Sequence, residues 1–131
     1  MQAATLLDRP ARAISWPGRV LSGIVIAFML FDGVIHVLRP APVVDAFTQL
    51  GFPLRLSIAL GVIELLCTVL YAIPRTAFIG ALLLTAYLGG AVATQIRAES
   101  AWFPDIFPVI IGALLWAGLA LRDANVRRLF V

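Results

Sequence analysis

The stretch FMLFDGVIHVL sets an acid, Asp32, and the chain's single histidine, His36, four residues apart in an otherwise apolar run. At that spacing two side chains share one face of a helix. A carboxylate beside an imidazole can orient the ring, take its proton, and pass a proton to a bound molecule. A second acid, Glu64, stands in an equally apolar stretch, LGVIELL. These three residues are the candidate catalytic groups. One imidazole and two carboxylates are also the donor set of an oxygen-rich metal site. There is no second histidine and no Glu-x-x-His pattern, however, so no metal ligands are assigned. No serine stands beside His36 in a nucleophile elbow, and the lone Cys67 excludes an internal disulfide; it reads as a small packing hydrophobe.

Such groups need elements to hold them. Of the 131 residues, 62% are hydrophobic and only 13% charged, and the mean hydropathy is +1.01. A soluble domain carries about twice that share of charge, so lipid is the expected solvent. Four apolar runs, residues 20–38, 54–73, 76–96 and 106–121, each approach the ~20 residues that cross a bilayer as a helix. The expected fold is all-α, an integral membrane four-helix bundle formed as one domain over 1–131. The first run is longer than a signal-peptide core, holds Asp32, and lacks a following A-x-A site, so it reads as a retained span. Pro104 and Pro108 fall near the start of the fourth run, where proline is tolerated.

The links differ in character. RPAPVVDAFTQLGFP, residues 39–53, contains an amphipathic piece over 43–50 suited to a short interfacial helix. IPRT, residues 73–76, is a tight turn that makes its flanking spans antiparallel neighbours. Trp102 and Phe103 suit an interfacial aromatic belt. Small residues at helical spacing, Ser57 with Gly61, Ala113 with Ala117, and Gly89-Gly90-Ala91, predict close approach of backbones.

All ten basic residues are arginine, and they sit at segment ends rather than in one patch, which argues against nucleic acid. Arg9, Arg12, Arg19, Arg75, Arg122, Arg127 and Arg128 fall on the side of the termini, against Arg39, Arg55 and Arg97 on the other. That asymmetry predicts a multi-pass protein with both termini cytoplasmic.

Depth follows from the ~1.5 Å rise per helical residue. Asp32, His36, Glu64, Thr94 and Gln95 come from three spans and fall within about two turns of depth, in the half away from the termini. A charged group at mid-membrane costs about 2.5–3.5 kcal/mol on insertion scales and is normally paired or functional. One expectation is a pocket for a small lipophilic molecule such as a quinone. Phe28, Phe31, Tyr87, Thr94, Gln95, Arg97 and Trp116 are its candidate ligand-binding residues. The alternative is a scaffold or permease-like bundle whose polar network only fixes packing, with Glu64 bonded to Thr94 or Gln95 or kept protonated.

The segments LFDGVIHVLRP, LGFP, LGVIELL and PRTAFIGALLLTAYLGGAVATQIR resemble the DoxX-like family of small four-span bacterial membrane proteins, over about residues 20–121. The resemblance implies a four-helix bundle in the bacterial inner (plasma) membrane. It also implies association with membrane redox chemistry, since some relatives are linked to thiosulfate–quinone oxidoreduction or to membrane oxidoreductase complexes. A quinone-like ligand and a partner oxidoreductase are therefore expected; no cofactor is specified. Asp32 and Glu64 match the family pattern. Gln95 stands where the family often has histidine, which removes one proton carrier.

Overall fold

The computed structural model describes residues 15–131. Arg9 and Arg12, two of the arginines counted on the terminal side, lie outside the described residues. Six helices follow in order: α1 Ser15–Leu38, α2 Ala41–Leu50, α3 Arg55–Ala72, α4 Ala77–Arg97, α5 Trp102–Arg122 and α6 Ala124–Arg127. Four of them, α1, α3, α4 and α5, are long and apolar enough to cross a membrane. Helices are the natural outcome here, because lipid offers no partner for a backbone N–H or C=O left outside the i→i−4 ladder.

The breaks are written in proline and glycine. Residue Ile73, ahead of Pro74, is extended at φ −79°, ψ 121° and closes α3. Helix α2 starts after Pro40, carries Pro42 in its first turn, and ends at Gly51 with φ 71°. There the Phe52 N–H reaches the Phe47 carbonyl at 2.9 Å, a Schellman-type stop that glycine permits. The amphipathic link is thus a helix, with Val43 and Phe47 buried.

The fourth span begins four residues before its apolar run. Helix α5 starts at Trp102 and takes in both Pro104 and Pro108. Pro104 occupies the first turn, where a missing N–H breaks no bond. Pro108 lies inside and is buried.

Helix α1 packs on α3 and α5, and α4 packs on the same two, so α1 and α4 face each other across the bundle. The half near the termini is tightly closed. A Cβ added to Gly18 would stand 2.6 Å from the Arg122 nitrogen, and one on Gly118 would stand 2.7 Å from Ser22 Oγ. A Cβ on Gly80 would collide with the backbone of Tyr71. The Tyr71 hydroxyl donates to the Leu115 carbonyl at 2.7 Å and therefore accepts from Ser22 Oγ at 3.0 Å. Arg122 donates to the Tyr71 carbonyl at 2.6 Å and lies 4.7 Å from the centre of its ring. These bonds tie α1, α3 and α5 together at one level.

Two small-residue expectations need correction. Ala113 and Ala117 are exposed, because α5 packs through Ile111, Leu115, Gly118 and Leu119, a face that excludes them. Gly89 and Gly90 approach nothing within 4 Å of an added Cβ; they thin α4 without bringing a neighbour closer. Ser57 and Gly61 are buried as expected.

Candidate functional site

At the end of the bundle opposite the termini the helices part around a cavity of about 640 Å³. Its walls come from the second half of α1, from α2, from the middle of α3, from the middle and end of α4 and from the first half of α5. Most of the lining is apolar or aromatic, including Phe28, Phe47, Phe103 and Phe107. Phe28 and Phe107 meet edge to face at 5.2 Å.

The ionisable groups gather where α1 and α3 meet. Helix α3 presents Ser57, Gly61 and Glu64 on one stripe, the i, i+4, i+7 set of a helix face. Gly61 lets α1 come close: a Cβ there would stand 2.7 Å from the Gly33 carbonyl and 2.9 Å from the His36 Cβ. Ser57 donates to the His36 carbonyl at 2.6 Å. The approach brings His36 Nδ1 to 3.4 Å from Asp32 Oδ2 and 3.8 Å from Glu64 Oε2.

The same nitrogen lies 2.8 Å from the Asp32 backbone carbonyl. A carbonyl can only accept, so Nδ1 carries the hydrogen. The imidazole also packs edge to face on Phe47 of α2, 5.7 Å between centres.

Glu64 is completely buried. The Tyr87 hydroxyl of α4 donates to its Oε2 at 2.9 Å, and Thr68 donates to its backbone carbonyl at 2.7 Å. Its Oε1 has no partner, and a buried unpaired oxygen costs stability unless something fills the vacancy. One donor atom from each of Asp32, His36 and Glu64 lies within 4.8 Å of the others, close enough for the three to hold an ion. For Nδ1 to ligate, it would first give up its hydrogen and its bond to Asp32.

The family model of the DoxX-like family matches residues 20–118. This chain belongs to the DoxX-like family. The match runs from α1 into α5 and contains every residue of the polar cluster. With its four apolar helices, the DoxX-like chain is a membrane protein. No curated protein and no solved structure matches it.

The structure places the residues expected at the site unevenly. Asp32, His36 and Glu64 come together, and Phe28, Tyr87, Thr94 and Gln95 line the same cavity. Tyr87 takes the place at Glu64 that Thr94 or Gln95 was expected to fill, while Gln95 Oε1 accepts from Ser100 at 2.6 Å. Phe31 faces outward, 64% exposed, because it is one residue, about 100° of helix, away from Asp32. Trp116 lies in the closed half, where it donates to Thr85 Oγ1 at 2.8 Å and packs on Phe78. Arg97 stands at the rim; it donates to the Leu50 carbonyl at 2.7 Å and lies over Phe52 at 5.8 Å, tying α4 to the end of α2. Phe47 and Ser57, which touch His36, were not singled out as site residues; the amphipathic pattern of α2 was the available signal for Phe47.

Proposed function

We propose that this DoxX-like protein holds a small lipophilic, quinone-like molecule in the cavity and exchanges protons with it through Glu64, His36 and Asp32. The observation that carries the reading is the cavity itself. Its volume of about 640 Å³ falls in the range of small-molecule pockets, which are mostly apolar with a few placed polar groups. Two acids and an imidazole sit on its wall, where an ionisable group is costly without a use. His36 is oriented by Asp32, and Glu64 is the shared proton carrier. Family membership supports a place in membrane redox chemistry beside a partner oxidoreductase.

The arginines support an orientation in the bacterial inner membrane. Among the described residues Arg19, Arg75, Arg122, Arg127 and Arg128 lie towards the end of the termini, against Arg39, Arg55 and Arg97 at the cavity end. The termini are then cytoplasmic and the cavity lies in the outer half of the bilayer. A fluorescent reporter fused to the C-terminus should fold on the cytoplasmic side, and an alkaline phosphatase fused there should stay inactive.

The test of the pocket compares wild type with Asp32→Asn and Glu64→Gln in lipid nanodiscs. Quinone-class binding that changes in the variants while the melting temperature holds supports the site. Unchanged binding with lowered melting makes the cluster a packing device and sinks the proposal.

A further inference from the structure

Hydrogen-bond donors and acceptors are unequal at the Asp32–His36–Glu64 cluster, and the imbalance bears on which form of a ligand fits. The two protein donors at the cluster are already used. His36 Nδ1–H is given to the Asp32 carbonyl at 2.8 Å, and the Tyr87 hydroxyl is given to Glu64 Oε2 at 2.9 Å. What is left over accepts. Glu64 Oε1 is buried and without a partner. The Asp32 carboxyl also borders the cavity; its Oδ2 has only a long 3.4 Å approach from Nδ1.

A proton shared between the two acids does not reverse the count, because whichever acid donates it leaves the other to accept.

We infer that the cavity selects a lipophilic ring bearing hydroxyl donors, a phenol or hydroquinone, over the carbonyl-only quinone. This inference rests on the pocket reading above and deepens it. An aromatic hydroxyl supplies the missing donor to Glu64 Oε1 while its ring packs among Phe28, Phe47 and Phe107. A quinone offers only acceptors to a wall whose donors are spent. Thr94 and Gln95, on the same cavity, can serve the far oxygen of either form, so the discrimination falls at Glu64. No redox step at the protein is required; the site acts on protons and on the choice of ligand.

The experiment uses the full chain in nanodiscs under anaerobic conditions, with duroquinol and duroquinone as the probes in calorimetric titrations. Duroquinol should bind about tenfold or more tightly than duroquinone, the worth of one hydrogen bond to a buried acceptor otherwise left unpaired. Glu64→Gln tests the cause. Its amide oxygen keeps the Tyr87 bond and its NH₂ stands where Oε1 stood, so an acceptor becomes a donor and the preference should invert. If that variant does not fold, Asp32→Asn, at a partly exposed position, should reduce the preference. Equal affinities, or tighter duroquinone binding, overturn the inference and leave the pocket standing. Binding of neither probe overturns the pocket as well.

Discussion

Tyr87 on α4 and Glu64 on α3 meet through a single 2.9 Å hydrogen bond, and it is the bond that supplies a donor to a carboxyl group fully removed from solvent. Tyr87→Phe deletes the donor and leaves both carboxyl oxygens in need. Loss of a bond to a buried acceptor costs about 1–3 kcal/mol, so the melting temperature in detergent should fall. In Glu64→Leu the same tyrosine change should cost less than in wild type, because the partners act as a unit. Additive losses would show that the bond carries little.

The α1–α3 contact gives a contrast between two glycines. Gly61→Ala forces a methyl against the Gly33 carbonyl and the His36 Cβ, pushing the helices apart at the cluster. It should destabilise the fold and weaken ligand binding together. Gly89→Ala meets open space and should be neutral or stabilising by about 0.5–1 kcal/mol, the usual gain of alanine over glycine within a helix. Thermal melts of the two variants decide it; equal losses would refute the contact.

Arg97 fastens the end of α2 to α4 through the Leu50 carbonyl. Arg97→Gln should leave the melting temperature nearly unchanged, since an exposed contact is worth little. Hydrogen exchange in α2 should rise, because that helix loses its tie at Leu50. Unaltered exchange across 41–50 would show that Val43 and Phe47 alone hold the helix in place.

Tyr71→Phe tests whether the two halves are separable. It removes the donation to the Leu115 carbonyl and the acceptor for Ser22, at a cost of about 1–3 kcal/mol. Ligand affinity should stay within a factor of two or so of wild type at a temperature where the variant is folded. A marked loss of affinity would mean that the closed half shapes the cavity.

Much of this was legible in residue type. Four apolar runs gave four spanning helices because lipid leaves the backbone no alternative. Asp32, His36 and Glu64 stood out because each is expensive in that solvent. What composition does not carry is rotation about the helix axis. Phe28 shares the face of Asp32 and borders the cavity, while Phe31, three residues on, faces outward. Depth along α5 differs from expectation for a related reason: the helix begins at Trp102, and Trp116 lies more than one turn beyond Ile111, the last α5 residue on the cavity, among Phe78 and Phe130. Tyr87 was placed on the wall from its depth, but its bond to Glu64 depended on α4 facing that acid, which no spacing within one helix reports.

The glycine-locked grip of Gly18, Gly80 and Gly118 fastens the end of the molecule away from the cavity. Apolar lining side chains such as Phe28 and Phe107 can therefore be exchanged without loosening that clasp. A scaffold divided in this way is open to retuning: new guests require changes only in the chamber, and engineering for altered selectivity should start there.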